Sequence, residues 1–495
     1  MTERLGALDI SFLSQESAST PMHVATLEIF EPPSDGFDYE HLIALIADRI
    51  AFLPRYRQRL QSVPGRLANP AWVDDEDFDL TYHVRRSALP RPGSMPQLRE
   101  LVGRVMSRRL DRSRPLWEMY LVEGLQDGRF AVFSKAHQVL VDGVSTLDLG
   151  QLILDEKPEP RESTPDEWTP QPHGNRVTLV ADAVTETIRR PRQAVETLRG
   201  RAAGVRESVI RVRGAADAMA AVVAPGRGTA DEPLVAHLSE QRRFVTVETD
   251  LEDYRRVRAA HGGTVNDVVL AVVAGGLRSW LMTRAESVSA SSRVKALVPM
   301  SVLNDEGEPT SLGSQVTPHL LSLPIGENNP VMRLHQVSYA LKAHKETGRA
   351  VSASRLADIQ GFAPTTLHAL GARVASTYRR RAFNLVITNV PGPQFPLYAL
   401  GARMLASYPV LPLLRGQALA VGVTSYDGGV FYGLVADRDA LPDVDVLAQS
   451  MRSALDELVD TTTGSRAPRG RAEPGGERAN RRKVTRRPAI KKRPT

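Results

Sequence analysis

The chain has 495 residues, 42% hydrophobic and 24% charged, which is an ordinary composition for a globular protein. At roughly 150 residues per domain, this length predicts two or three domains. The absence of cysteine excludes disulfides, thiolate metal sites and cysteine nucleophiles. The net charge is +6, but residues 466–495 hold 12 Lys/Arg and 2 Glu, so the rest of the chain carries −4. The basic charge belongs to the tail, and we expect no specific nucleic-acid partner.

No segment has the pattern of a signal peptide or a membrane span. The start lacks a basic region followed by an apolar one. Apolar runs such as residues 268–277 are shorter than the roughly 20 residues that cross a bilayer. We therefore expect a cytoplasmic protein, not secreted, whose contact with the membrane is peripheral.

The first third of the chain mixes strand and helix patterns. Alternating or short apolar runs predict strands, and apolar residues spaced by three or four predict helices. The predicted strands are 21–30, 119–122 and 130–133, and the predicted helices are 39–62 and 95–109.

The segment from Lys135 to Ser145 places a histidine at the end of a predicted strand. His137 is followed by Gln138, and Asp142-Gly143 gives a turn signal shortly after. Reactive groups often lie on a loop that a rigid strand holds in place. A buried structural histidine next to a turn aspartate fits the same letters.

Residues 157–235 read as a connector between two αβ regions. After a stretch rich in proline and glutamate, an apolar stripe continues over eight positions from Val195 to Met219 at steps of three and four. Residues 176–214 carry nine arginines against four acidic residues. Such basic amphipathic helices are suited to an anionic membrane surface. Packing against the protein body, or against a second copy, is the alternative.

The second half repeats the αβ pattern and ends in a basic tail. Predicted strands are 243–249, 294–300, 320–324, 383–388, 418–424 and 430–435, and predicted helices are 251–260, 264–281 and 443–459. Thr264 or Asn266 is the expected cap of the apolar helix. From residue 461 the chain has no apolar pattern, so we expect it to be disordered.

Several common types of site are absent from the sequence. There is no G-x-S-x-G elbow, no phosphate-binding loop and no dinucleotide-binding fingerprint. The eleven histidines include no i,i+4 pair beside an acid, so no metal site is predicted.

Eight short segments in order resemble the bacterial wax ester synthase/diacylglycerol acyltransferases of actinobacterial type. That family is similar to the acyl-CoA-dependent acyltransferases with the chloramphenicol acetyltransferase-like fold. The resemblance runs from Leu8 to about Val459. The segments are Leu8-Asp9 with Phe12-Leu13, Pro21 to Val24, Pro115 to Glu118, the His137 segment, Asn266 to Ala271, Val298 to Ser301, Asn389 to Pro393, and Gly422 to Gly428.

The resemblance implies a fold, a reaction and two substrates. The fold is α/β, with two chloramphenicol acetyltransferase-like domains, each a mixed sheet flanked by helices, and a tunnel between them. Acyl-CoA is the expected acyl donor, a substrate and not a cofactor. Diacylglycerol or a long-chain alcohol is the expected acceptor. On this basis we divide the chain into an N-terminal subdomain (1–156), the connector (157–235), a C-terminal subdomain (236–460) and the tail (461–495).

The sequence departs from the family signature at its central residue. The signature is His-His-x-x-x-Asp-Gly, and its second histidine is the general base for the acceptor hydroxyl. Aligned on Asp142-Gly143, His137 is the first histidine, and Gln138 stands where the second is expected. An amide can hold a hydroxyl by a hydrogen bond but cannot take its proton. His137 is the substitute base if the loop shifts by one residue, although neighbours on a strand point to opposite faces.

Two functions therefore stay open at the level of the sequence. The first is an O-acyltransferase of triacylglycerol or wax ester synthesis, bound peripherally to an anionic membrane or lipid-droplet surface and weakened by Gln138. The second is a catalytically inactive paralogue that binds lipid or acyl-CoA as a scaffold or regulator. Four residues of the second half are candidates for substrate binding or loop positioning, each with a helix-cap or turn role as the alternative: Asn266, Asp267, Asn389 and Ser425.

Overall fold

The computed structural model describes residues 3–62, 69–140, 150, 153–159, 168–171, 234–301, 316–347 and 383–463. Within these ranges the chain forms two six-stranded sheets and a small two-stranded one, flanked by helices. This is the mixed α/β architecture expected from the sequence. Asp142, Gly143, the basic helices predicted within 176–222 and the tail beyond Thr463 lie outside the described residues.

The described elements follow the predicted order of strands and helices. The helices are α1 (Ala7–Gln15), α2 (Tyr39–Arg49), α3 (Leu80–His83), α4 (Met95–Ser107), α5 (Leu251–His261), α6 (Val265–Thr283), α7 (Pro330–Thr347) and α8 (Val444–Asp460). The strands are β1 (His23–Glu31), β2 (Gln58–Gln61), β3 (Ala71–Asp74), β4 (Val84–Ala88), β5 (Trp117–Glu123), β6 (Phe130–His137), β7 (Arg242–Asp250), β8 (Val294–Ser301), β9 (Val316–Leu323), β10 (Leu385–Pro391), β11 (Tyr398–Ala399), β12 (Ala402–Val410), β13 (Leu419–Tyr426) and β14 (Gly429–Asp437).

The first sheet has the order β11-β12-β1-β6-β5-β4. Strands β1 and β6 lie in its middle and are buried along almost their whole length. They are antiparallel, and their register sets His23 directly opposite His137. Because directly opposed residues share a face of the sheet, these two rings are neighbours.

Two strands of this first sheet come from the far end of the sequence. Strand β12 pairs antiparallel with β1, from Ala25 with Val410 to Glu31 with Arg403. Our division of the chain assigned all of residues 236–460 to a second subdomain, whereas β11 and β12 of that range belong to the first sheet. The sequence analysis predicts no strand over residues 398–410, and which strand pairs with which is a long-range choice that local pattern does not encode.

The two sheets meet where Pro409 of β12 lies against β13 and β14. Gly422 and Gly433 are register partners on these two strands. A β-carbon on Gly433 would lie 1.8 Å from the Pro409 carbonyl oxygen, and one on Gly422 would lie 2.8 Å from the Pro409 ring. Only glycine allows the backbones to approach this closely. Strand β12 therefore pairs within the first sheet and packs closely against β13 and β14 of the second sheet.

The second sheet has the order β7-β14-β13-β10-β8-β9. Strand β10 runs parallel to both β8 and β13, so the carboxyl ends of these strands lie at one edge. The predicted hairpin of β13 and β14 is confirmed, with Asp427 and Gly428 both at positive φ, 42° and 83°. Positive φ at both turn positions matches the right-handed twist of the paired strands.

Two sequence-based boundaries are wrong. The helix predicted over 39–62 ends at Arg49; two short 3-10 turns follow, the second opening at Pro54, and residues 58–61 pair with β3 instead. Proline lacks the backbone N–H that a continuing helix needs. The tail predicted from residue 461 begins later, because Thr461 to Thr463 form a further turn in which the Thr461 hydroxyl bonds His261 Nε2 at 2.7 Å.

One described helix, α6, is long and apolar enough to cross a membrane by composition alone. Of its most apolar window, 72% is buried inside the protein. It contacts α8 and α7, and it supplies much of the core beneath the second sheet. Its hydrophobicity is therefore accounted for by packing.

Candidate active site

Three of the segments that carry the family resemblance meet at one end of the first sheet. The His137 N–H donates to the Leu116 carbonyl at 2.9 Å, and the Gln138 N–H donates to the Met22 carbonyl at 2.9 Å. Leu116 belongs to the Pro-Leu-Trp-Glu segment before β5, and Met22 to the Pro-Met-His-Val segment that begins β1. The backbone of the two central residues is thus held from both sides.

His137 and Gln138 are both buried within the described part of the chain. His137 shares its face of the sheet with Lys135 and with His23 of the neighbouring strand. Strand β6 ends at His137, and Gln138 begins the turn of residues 138–140. The expectation that His137 and Gln138 point to opposite faces therefore stays a prediction.

A carboxylate that no sequence pattern identifies lies beside His137. Glu16 follows helix α1, and its Oε1 is 3.3 Å from His23 Nε2 and 3.7 Å from His137 Nε2. Its other oxygen accepts from Arg112 Nε at 2.9 Å. Burial lowers the pKa of His23 well below its ordinary value, and the charge of nearby Lys135 adds to this. From the sequence, only a predicted pairing of the strands that became β1 and β6 could have linked His23 to His137.

In the second half, Asp267 organises the start of α6. Thr264 is the helix cap, and its hydroxyl accepts from the Asp267 N–H at 3.2 Å. The Asp267 carboxylate accepts from the Thr264 N–H at 3.0 Å and from the Ser338 hydroxyl at 2.6 Å. Of the two expected caps, Thr264 is therefore correct and Asn266 is not.

Asn266 is instead joined to Asn389 by a side-chain hydrogen bond. Asn389 Nδ2 donates to Asn266 Oδ1 at 2.9 Å, which ties the start of α6 to the end of β10. Both side chains are half-buried. Because the Asn266 carbonyl oxygen is engaged, its amide nitrogen is the group directed elsewhere. This pair can present N–H donors to a carbonyl or a developing oxyanion.

Ser425 lies beside the Asn-Val-Pro-Gly-Pro segment that follows Asn389. Its hydroxyl accepts from the Gly392 N–H at 3.4 Å and from Gln394 Nε2 at 3.2 Å. Gln394 also accepts from the Gly428 N–H at 3.0 Å. Ser425 thus has a local role in holding the loops after β10 and β13.

The structure brings the candidates together in two groups. His137 and Gln138 lie at the end of β6, and the second group consists of Asn266 and Asp267 at the start of α6 with Asn389 on β10 and Ser425 on β13, while Asp142 and Gly143 lie outside the described residues. A cleft of about 320 Å³ lies between α4, β7, β12 and α8, but it is lined by charged side chains such as Arg99 and Arg452 and includes none of the candidates. In the part of the chain the structure describes, no three His, Asp or Glu residues are grouped as metal ligands.

Comparison with known proteins relates the whole chain to one family. A model of the wax ester synthase/diacylglycerol acyltransferase catalytic domain matches residues 5–269, and a model of the C-terminal domain of the same family matches residues 312–459. A putative diacylglycerol O-acyltransferase of Mycobacterium tuberculosis is 34% identical over 467 residues, which cover 92% of this chain and 99% of the relative. The probable diacylglycerol O-acyltransferase tgs1 of that organism is 32% identical over 458 residues, with 92% and 95% covered.

Solved structures agree with this relationship. The wax ester synthase/diacylglycerol acyltransferase from Marinobacter aquaeolei VT8 has a TM-score of 0.63 at 29% identity, with 93% of this chain and 100% of that chain covered. The first condensation domain of the calcium-dependent antibiotic synthetase has a TM-score of 0.52 at 14% identity over 94% of this chain and 97% of that chain, which shows the shared fold alone. The resemblance inferred from the motifs is confirmed, and the chain belongs to the wax ester synthase/diacylglycerol acyltransferase family.

Proposed function

We propose that the protein moves a fatty acyl group from acyl-CoA to the hydroxyl of diacylglycerol or of a long-chain alcohol. The family membership of the chain supports an acyltransferase of triacylglycerol or wax ester synthesis. The single observation that carries the proposal is the meeting of three family segments around His137 and Gln138. Acyl-CoA is a substrate in this reaction, and the protein needs no further cofactor.

The reaction requires three things of the protein. The acceptor hydroxyl must lie against the thioester carbonyl, the oxyanion formed by attack must be stabilised, and the hydroxyl proton must leave. The Asn266 and Asn389 amides offer N–H donors for the oxyanion. Gln138 can orient the hydroxyl by a hydrogen bond but cannot accept its proton. Collapse of the intermediate then expels the CoA thiolate.

The missing base predicts a slow enzyme. General-base catalysis contributes about 10²–10⁴-fold to a rate, while holding two substrates together can contribute more. Acyl transfer at a reduced rate is therefore compatible with Gln138. Two contacts argue against His137 as the replacement base: its Nδ1 accepts the Val139 N–H at 3.1 Å, and its Nε2 faces Glu16.

Gln138 also favours a second candidate function, an inactive paralogue that binds lipid or acyl-CoA as a scaffold or regulator. Binding of the two substrates needs shape and polar contacts, and neither depends on a base. The two candidates differ in turnover alone, so the rate of acyl transfer separates them.

The test uses purified full-length protein with labelled palmitoyl-CoA and diolein, or a long-chain alcohol. We expect a measurable wild-type rate that Gln138→His raises by about 10²-fold or more. Gln126→His, which adds a histidine in an exposed turn, is the matched control and should leave the rate unchanged. If the wild type stays at background while Gln138→His is active, the scaffold function replaces the enzymatic one.

The membrane contact belongs to the proposal as well. We assign it to the basic tail and to the arginine-rich residues 176–222, since each Lys or Arg near an anionic surface contributes about 1 kcal/mol. Sedimentation with anionic and neutral vesicles tests this. The tail deletion begins after Thr463, because Thr461 is bonded to His261. Equal sedimentation of the full chain and both deletions would remove the assignment.

A further inference from the structure

Next to Gln138, on the face of the first sheet that carries His137, lies a buried group of ionisable side chains. The side chains of Glu16, His23 and His137 are each no more than 1% exposed. The two imidazole rings meet edge to face, with centroids 5.7 Å apart. The Oε1 atom of Glu16 faces the Nε2 atoms of both rings. In a group this enclosed, the hydrogen-bond partners favour one placement of the protons on the two imidazole rings.

The Glu16 carboxylate is paired with an arginine. Arg112 donates through Nε to Glu16 Oε2 at 2.9 Å and through a second nitrogen to the same oxygen. Arg112 also donates to the Leu13 carbonyl at 2.9 Å. Charge-assisted bonds of this kind are about twice as strong as neutral ones. The other carboxylate oxygen of Glu16, an acceptor, faces the two histidines.

A buried lysine fixes the chain segment that brings Arg112 to this position. Lys135 lies two residues before His137 on the same face, and its ammonium donates to the carbonyls of Val105 at 2.9 Å and Arg108 at 2.5 Å. These carbonyls are at the end of α4, where a cation is favoured. Burial lowers the pKa of Lys135 to about 8.

Val139 and Glu16 both bear on the position of the proton on His137. Nδ1 accepts a hydrogen bond from the Val139 N–H at 3.1 Å, so Nδ1 carries no proton. The proton of the neutral ring must then be on Nε2. Nε2 is 3.7 Å from Glu16 Oε1, where an N–H dipole is favoured by the negative charge and a lone pair is not. Glu16 and Val139 thus select the same tautomer.

The tautomer matters because Nδ1 of His137 holds the turn that carries Gln138. The Val139 N–H bonds His137 Nδ1, and the Leu140 N–H bonds the His137 carbonyl at 2.9 Å. The other tautomer would set two N–H groups against each other at Val139. The residue between these anchors is Gln138, so a change at Nδ1 would move the side chain at the position of the expected base.

We infer that Glu16 is a positioning residue: it holds His137 as the Nε2–H tautomer, and His137 in turn fixes the turn on which residue 138 meets the substrate. The effect of Glu16 on catalysis rests on the proposed acyl transfer, whereas the tautomer of His137 does not depend on it. The assignment gives His137 a defined structural role and removes it as a base.

The tautomer is read by NMR on full-length protein labelled with ¹⁵N-histidine, with His137 assigned by the loss of its signals in His137→Asn. We expect wild-type His137 to show a protonated Nε2 and an unprotonated Nδ1. In Glu16→Gln the amide can both donate and accept, so the two tautomers should mix. Glu123→Gln removes a Glu–Arg pair elsewhere in the same sheet and is the control. A wild-type ring protonated at Nδ1, or an unchanged ring in Glu16→Gln, would overturn the inference.

Catalysis is tested in the Gln138→His background, where a base is present. Glu16→Ala should lower kcat by about 10-fold or more with little change in KM, and Glu16→Gln should lie between the two. Glu123→Gln should leave kcat unchanged. Equal kcat in Glu16→Ala and its parent would overturn the positioning role. If no variant transfers acyl groups, the proposed function fails, and the NMR result still decides the tautomer.

Discussion

In each half of the molecule a buried carboxylate lies beside a residue of the candidate site: Glu16 faces His137, and Asp267 follows Asn266 on α6. Glu16 in the first half faces an arginine and two histidines, whereas Asp267 in the second half faces hydroxyls and a backbone N–H. Glu16 binds Arg112, 96 residues away in the sequence, whereas Asp267 binds Thr264, three residues away, and also Ser338 of α7, 71 residues away. The first carboxylate balances charge between distant elements, and the second completes one helix end.

The junction of the two sheets holds both halves of the molecule together, and Gly433→Ala should disrupt this junction most. The new β-carbon would collide with the Pro409 backbone at the junction of the two sheets. We expect unfolding in urea to show a loss of roughly 4 kcal/mol. Gly6→Ala is the control, since its β-carbon has only an ordinary contact at 3.5 Å. Equal losses in the two variants would contradict a rigid junction.

Asp267→Ala tests the local carboxylate. It removes three hydrogen bonds to a charged acceptor that is 3% exposed, and it leaves the start of α6 without its partner. We expect a loss of about 3 kcal/mol in urea unfolding. Asp267→Asn keeps one acceptor oxygen and should lose less. If the two variants lose the same amount, the charge at this helix end contributes nothing.

Acid should weaken the first half before the second. Burial lowers the pKa of His83 to about 4 from an ordinary 6.5, and the buried His23 is shifted in the same direction. Between pH 6.5 and pH 4 the unfolded chain therefore binds more protons than the folded chain. The part of the free energy of unfolding that depends on neutral buried histidine is complete above pH 6.5 and is lost as the pH falls towards 4. His83 alone should remove about 2 kcal/mol between about pH 7 and 5. His83→Phe, which keeps the stack on Trp117, should flatten that dependence.

Asn389→Ala should have the smallest effect on folding. The neutral bond to Asn266 is half-buried, so its loss should cost about 1 kcal/mol. If the amide pair faces the reacting carbonyl, the rate of Gln138→His should nevertheless fall by about 10-fold or more. Ser425→Ala serves as the comparison, because its contacts hold neighbouring loops. An unchanged rate in Asn389→Ala would mean that the Asn266–Asn389 pair has a structural role only.

The two carboxylates also show what a sequence can reveal. Thr264 and Asp267 form a capping pattern that is visible in four consecutive letters, and the helix was predicted there. Glu16, His23 and Arg112 have no shared pattern, because strand pairing and the end of α4 bring them together. Asn266 is predicted to cap the helix or to bind substrate or position a loop, and only the structure shows its bond to Asn389. Gln138 was identified from the motif alone, although its anchoring by Met22 required the fold.

The insertion of β12 beside β1 has a consequence for any attempt to divide this protein. A fragment that ends before residue 398 would leave β1 with a full row of unsatisfied N–H and C=O groups, which is the surface that invites aggregation. Strands made late in synthesis thus complete the sheet that contains the earliest strand, β1. Folding of the N-terminal half must wait for the C-terminal half, so a split at the connector should yield pieces that recover structure only when mixed.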